Sequence, residues 1–307
     1  AWRITWSLLD DSCALEPVAM LPDATSGLQT PCRTLNLVNM LSLLQSVVKP
    51  KAAFSPCGPR AGDATPALPA LSLPTSLRMT VHTTSNLPPL PGGKHLSLSI
   101  PGFGGGFGTG GQIWPGTAIL CLLLLSMRAD IRDSSVLELG SGTGAVGLYA
   151  AALGASCTVL TDHEEQMQSL CQLNADSNRM LFQADAVLES HRYRWGSPID
   201  ALVRDRRFDM ILGSEITYSQ AALPPLCDTI LSVAQHHASN GWPVPRVLLS
   251  HCLHRTGEGE ILKLLTLVAA GRGLDVKRIE GPPEAEALGV AILEVQYMGR
   301  ELRSRAL

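Results

Sequence analysis

Ser135-Val136-Leu137-Glu138-Leu139-Gly140-Ser141-Gly142-Thr143-Gly144-Ala145-Val146-Gly147 is the stretch that decides the fold of this 307-residue chain. The apolar run around Val136 predicts a buried strand, and the glycines that follow predict a tight turn. Val146, Leu148, Tyr149, Ala152 and Leu153 then recur at a helical period. Strand, glycine turn and helix in that order bring a backbone close to a nucleotide-like ligand. One glycine makes the turn, one clears space for the ligand and one lets the helix pack on the strand.

Two fingerprints fit this stretch. Gly142-x-Gly144-x-x-Gly147 is a dinucleotide pattern, and Gly140-x-Gly142-x-Gly144 with Glu138 two residues ahead is an S-adenosylmethionine (SAM) pattern. A glycine turn without a nucleotide stays open on these residues alone. Downstream, Cys157–Asp162 predicts a second strand that ends in an acid about 20 residues past the loop. A carboxylate there can accept hydrogen bonds from two ribose hydroxyls, in NAD or in SAM, or it can cap the next helix.

Further along, 163–178 predicts a helix, 186–194 a weak strand, and Phe208–Gly213 a buried strand running into Ser214-Glu215-Ile216-Thr217-Tyr218. A polar cluster at the carboxyl end of such a strand is where α/β folds place chemistry. Helices over 224–237 and 259–270 flank a strand at 247–252, where His251 and the nearby His254 are candidate bases. Strands at 275–281 and 290–298 close the chain with Gly281-Pro282-Pro283 between them. Two final strands without an intervening helix fit a seven-stranded SAM-methyltransferase sheet better than a dinucleotide fold.

Upstream, 117–127 predicts a buried helix opened by Trp114-Pro115. Its apolar run is shorter than the ~20 residues that span a bilayer. Pro101–Gly111 holds seven glycines, a hinge or a lid, and no Gly-Lys-Ser/Thr closes it as a phosphate loop. Two short strands around 78–83 and 95–100 predict a hairpin. Ten of the 21 prolines lie between Pro50 and Pro101, and from Ala24 to Gly110 there are six basic residues against one acid. That composition predicts a largely disordered extension over 1–77, apart from a short apolar patch at 35–48, and is compatible with an import leader. The expected division is therefore 1–77 extension, 78–112 hairpin and lead-in, and 113–307 main domain.

Charge and cysteine usage narrow the class. Net charge is −3, so no basic field points to nucleic acid. Eight cysteines without a C-x-x-C pair argue against a zinc site or a disulfide framework, and favour reduced thiols inside the cell.

Residues 107–298 resemble the seven-β-strand protein methyltransferases of the methyltransferase-like lysine-modifying group. The resemblance is carried by Gly108 to Pro115, Val136 to Gly147, Leu160-Thr161-Asp162, Leu173-Asn174, Arg194-Trp195-Gly196 and Phe208 to Tyr218. It implies a Rossmann-like α/β fold with a seven-stranded, mostly parallel sheet, helices on both faces and a C-terminal antiparallel hairpin. It implies SAM as cofactor, with Trp114, Gly140, Ser141, Gly142, Asp162, Trp195 and Ser214 binding it. It implies catalytic roles for Glu215, which would orient an incoming amine, and for Tyr218, which would border a lysine channel. Arg255 falls where the group often has arginine. The implied reaction is methyl transfer to a protein substrate, most simply a lysine amine, with no metal, nucleic acid or membrane partner. A cytoplasmic monomer is expected. An NAD(P)-dependent oxidoreductase and a non-catalytic binding module on the same scaffold are the alternatives. The first does not predict Trp195-Gly196, Glu215-x-x-Tyr218 or the closing strand pair.

Overall fold

A computed structural model describes residues 79–83, 87–101, 108–203, 206–253 and 258–299. The extension over 1–77, most of the glycine-rich lead-in, His254 and Arg255 lie outside them. The elements in order are β1 (Met79–Thr83), β2 (Ser97–Pro101), α1 (Pro115–Ser126), α2 (Arg128–Ile131), β3 (Ser135–Leu139), α3 (Ala145–Leu153) and β4 (Cys157–Asp162). They continue with α4 (Glu165–Ser177), β5 (Val187–Arg192), α5 (Asp200–Val203), β6 (Met210–Ser214), α6 (Leu223–Ser239) and β7 (Arg246–Cys252). The last four are α7 (Glu258–Ala270), β8 (Leu274–Ile279), α8 (Glu284–Ala287) and β9 (Val290–Tyr297).

Seven strands form one sheet in the order β5-β4-β3-β6-β7-β9-β8. The first five pair in parallel, and β9 runs antiparallel to both of its neighbours. The closing antiparallel pair agrees with the expectation, with two differences. The last strand inserts between β7 and β8, and the one-turn helix α8 sits in the connection that had been expected to lack a helix. Four residues are too few to write a helical period into a sequence.

The period-2 alternation of strands sorts the side chains to two faces. Leu212, Leu248 and Ile292 join α1, α3 and α4 in one core. Ile211, Val247, Leu249 and Leu293 join α6 and α7 in the other. A sheet covered on both faces explains why β6 opens as a continuous apolar run, and why β3 is buried along nearly its whole length, Glu138 included, rather than alternating in and out. Helix α1 is apolar nearly all round because it too is buried. Among the described residues, no helix is long and apolar enough to cross a membrane.

The β1–β2 hairpin is a separate two-stranded sheet. Its strand β2 docks on α4 through two asparagines. Asn178 Oδ1 accepts from the Ser97 N–H at 2.8 Å, and Asn174 Oδ1 accepts from the Ser99 N–H at 2.7 Å.

The chain leaves β3 towards β4 and β5 and then returns across the sheet to β6. The reversal opens a crevice at the carboxyl ends of β3, β4 and β6, the place where open α/β sheets bind ligands. At this crevice α3 can lie close to β3 and β4 only because position 147 is glycine. A Cβ there would collide with Leu160 and approach Glu138 Oε2 to 2.7 Å. Gly147→Ala is expected to destabilise the fold by about 1–3 kcal/mol. The check is a urea midpoint that falls while the slope of the transition stays the same.

Candidate functional site

The sequence dictates the turn after β3. Gly140 and Gly142 have φ of 64° and 52°, backbone angles that side-chain-bearing residues rarely adopt. Space is equally limiting. A Cβ on Gly140 would meet Ile216 Cγ2 at 2.7 Å and Trp195 Cζ2 at 3.0 Å, and one on Gly142 would strike the carbonyl of Gly110. The turn is fastened on two sides. The Ser141 N–H donates to the Thr161 carbonyl at 2.9 Å, and the Gly144 N–H donates to the Ser141 carbonyl at 2.7 Å.

Asp162 stands at the end of β4 and is nine-tenths buried. Its Oδ2 accepts from the Gly142 N–H at 3.0 Å, and its Oδ1 accepts from the Glu164 N–H at 3.3 Å. His163 Nδ1 approaches the same Oδ1 at 3.2 Å. The acid therefore spans from its own strand to the glycine turn, while Glu164, not Asp162, occupies the N-cap position of α4.

Trp114 occupies the N-cap position of α1 and donates its indole N–H to the Thr109 carbonyl at 3.1 Å. Helix α1 has no acid in its first turn, and no side chain of its own caps it. Glu215 supplies what is missing from 99 residues away, its Oε1 accepting the Gly116 N–H at 2.9 Å. Its Oε2 accepts the Cys252 N–H at 3.2 Å at the end of β7, and its own N–H donates to the Ser250 carbonyl. Glu215 has φ of 56°, a strained value for a residue with a side chain. The carboxylate thus caps the first turn of a helix 99 residues earlier in the chain.

Ser214 Oγ lies 3.0 Å from Thr117 Oγ1 and 3.2 Å from Ser250 Oγ, which ties β6 to α1 and β7. The loop beyond is anchored by a 2.7 Å bond between Thr217 Oγ1 and His251 Nδ1, both buried. His251 is thus engaged with the Thr217 hydroxyl and does not line the crevice.

These elements enclose a cavity of about 310 Å³. It brings together the nine residues that the resemblance puts in cofactor-binding and catalytic roles: Trp114, Gly140, Ser141, Gly142, Asp162, Trp195, Ser214, Glu215 and Tyr218. Tyr218 is 50% exposed, which puts it at the rim rather than the floor. The same wall holds Thr109, Gly110, Gln112 and Met167, which have no individual role in the sequence patterns, together with Glu138 of the SAM fingerprint. The seven-glycine lead-in was a signal for the first two, since Gly110 lies directly on Gly142. Among the described residues, no group of three or more His, Cys, Asp or Glu could hold a metal ion.

A cavity of this size falls at the small end of ordinary ligand pockets, about 300–1,000 Å³. A cradle opened by Gly140 and Gly142 and an acid at the end of the neighbouring strand are groups that fit a nucleoside cofactor such as SAM.

Comparison with known proteins gives one family. Residues 94–265 match the family model described as lysine methyltransferase. The chain is 36% identical over 143 residues to protein N-lysine methyltransferase METTL21A of Danio rerio, covering 47% of this chain and 61% of that protein. It is 32% identical over 162 residues to METTL21A of Xenopus tropicalis, covering 52% and 68%. It is 31% identical over 152 residues to EEF1A lysine methyltransferase 3 of Mus musculus, covering 48% and 60%. The chain thus spans between three-fifths and about two-thirds of the length of these relatives.

Glu138 is a deeply buried carboxyl in the cavity wall. Its Oε2 accepts the Gly147 N–H at 2.9 Å, and the residue is 2% exposed. Burial pushes its carboxyl up to about 8, and the Asp162 charge adds to the rise, while the Gly147 bond opposes it. From the ordinary value of 4.5 up to about 8, the folded protein holds a proton that the unfolded chain has shed. The stabilising contribution is complete below pH 4.5 and is lost as pH rises through about 8. Glu138→Gln keeps the acceptor for Gly147 and removes the proton. The variant is expected to gain stability relative to the wild type as pH rises from 5.5 to 8, by up to about 1.4 kcal/mol per pH unit. Urea unfolding across that range checks this, and parallel stability curves would contradict it.

Proposed function

The chain belongs to the lysine methyltransferase family, and on that premise we propose that it transfers a methyl group from SAM to a lysine side chain of a protein substrate. One observation carries the reading: the glycine turn and Asp162 meet in a single cavity rimmed by Tyr218. The names of the relatives support a protein-lysine acceptor.

SAM, when bound, would supply a methyl group on a cationic sulfur, open to in-line attack by a neutral amine with S-adenosylhomocysteine as the leaving thioether. The chain's own work is alignment and shelter. In our assignment the turn at 140–142 holds the methionine part and Asp162 accepts from the ribose hydroxyls. Trp195, packed against Gly140, lies along the adenine, and Trp114 with Ser214 closes the inner wall. Aromatic faces suit a cationic ligand. Tyr218 guides the lysine, whose proton must leave for bulk water before attack.

Glu215 is better read as a positioning residue than as a group that meets the amine. Its two oxygens are committed to the backbone N–H groups of Gly116 and Cys252. It fixes the start of α1, and so the neighbouring Trp114.

Two variants test the assignment. Asp162→Ala is expected to raise the Kd for SAM at least about 30-fold, the scale of losing charge-assisted hydrogen bonds, while the fold persists by circular dichroism. Tyr218→Ala is expected to lower kcat/KM about tenfold or more with the SAM Kd unchanged. Labelled methyl transfer into a cell extract should give a protein band whose modified residue maps to lysine. Label confined to small molecules would overturn the protein-substrate reading.

A further inference from the structure

Asn174, on the inner face of α4, is wholly buried and joins two parts of the molecule. Its Oδ1 accepts the Ser99 N–H of β2 at 2.7 Å. Its Nδ2 donates to the Thr143 carbonyl of the glycine turn at 2.8 Å and to the Ser99 carbonyl at 3.3 Å. One turn on, Asn178 repeats only half of this pattern. It pairs with the N–H and carbonyl of Ser97 at 2.8 and 2.7 Å and donates back to the Asn174 carbonyl, without reaching the turn.

The pattern has a geometric cause. Residues four apart on a helix rise about 6 Å, and residues two apart on a strand rise about 6.7 Å. Two asparagines at i and i+4 can therefore stand in for a neighbouring strand along the edge of β2. An amide is planar, so its acceptor and donor ends cannot reorient independently. A rotation of Asn174 that follows Thr143 disturbs Ser99, and the converse holds. A second tie reaches the cavity from the same strand, since Gln112 Nε2 on the cavity wall donates to the Pro101 carbonyl at 2.8 Å.

We propose that Asn174 is a positioning residue that couples the cofactor turn to the β1–β2 hairpin, so that cofactor binding orders the hairpin and the docked hairpin tightens cofactor binding. The inference rests on the SAM reading above. Coupling of this kind is reciprocal in free energy, so either end can be measured. Asn178 provides the internal control, because it holds the same strand without touching the turn.

The experiment uses the full chain with S-adenosylhomocysteine as probe and reads hydrogen–deuterium exchange over 97–101. In the wild type, the probe is expected to slow exchange there. Asn178→Ala should raise the baseline exchange, keep the slowing, and hold the probe Kd within about twofold of wild type. Asn174→Ala should lose the slowing and raise the probe Kd about tenfold, within the usual range of coupling. Asn174→Asp keeps an acceptor for Ser99 but sets a carboxylate against the Thr143 carbonyl, and it too should lose the slowing. The wild-type measurement stands without any variant. Probe binding that leaves exchange over 97–101 unchanged overturns the coupling alone, as does slowing that survives in Asn174→Ala. A wild type that binds no probe overturns the cofactor reading and the coupling with it.

Discussion

A 3.0 Å hydrogen bond from the Gly142 N–H to the Asp162 carboxylate holds the site together. It joins the turn after β3 to the end of β4, two elements that the parallel pairing of those strands has already brought side by side. Everything else at the crevice is arranged about that junction. Gly110 lies on one side of the turn, Trp195 and Ile216 lie on another, and none of the three leaves room for a side chain at 140 or 142. Any diol held by Asp162 must share the carboxylate with Gly142, so ligand binding and the shape of the turn are linked by one group.

That junction was legible in the sequence because its causes are local. The glycines announce a turn that side chains would block, and the acid follows after one helix and one strand. The closing antiparallel pair was legible too, since Gly281-Pro282-Pro283 breaks the chain between two apolar strands. Its insertion order was not. Val290 to Leu293 of β9 is a continuous buried apolar run while β8 carries Asp275, Lys277 and Arg278, a contrast that suits β9 to the inside, but the order itself is set by the long-range pairing of β9 with both β7 and β8. Long-range roles were similarly hidden. The partners of Glu215 lie 99 residues before it and 37 after it, a separation that no local pattern encodes. The charge state of Glu138 depends on burial, and burial exists only once α3 has closed over β3.

Glu215 shows how strain and packing cooperate. Its left-handed backbone turns the chain sharply at the end of β6, and that turn aims its carboxylate at the start of α1. The positive end of the α1 dipole receives an anion that its own first turn lacks. The cost of the strained backbone is offset by two charge-assisted bonds to backbone donors. Gly116 is glycine for the complementary reason, since a Cβ there would collide with the carboxylate. A substitution at either position would loosen the ends of α1, β6 and β7 together.

Floor and rim of the cavity then obey different rules. The floor is built from backbone, glycines and buried polar groups, each holding another in place: Ser214 with Thr117, Glu138 with Gly147, Asp162 with Gly142. Changing one member strands its partner away from water, which carries a large penalty. The rim is different. Tyr218 is half exposed, and its replacement leaves no buried group unpaired. Substitutions at the rim can therefore alter what meets the mouth of the cavity while the floor keeps its mutual hydrogen bonds.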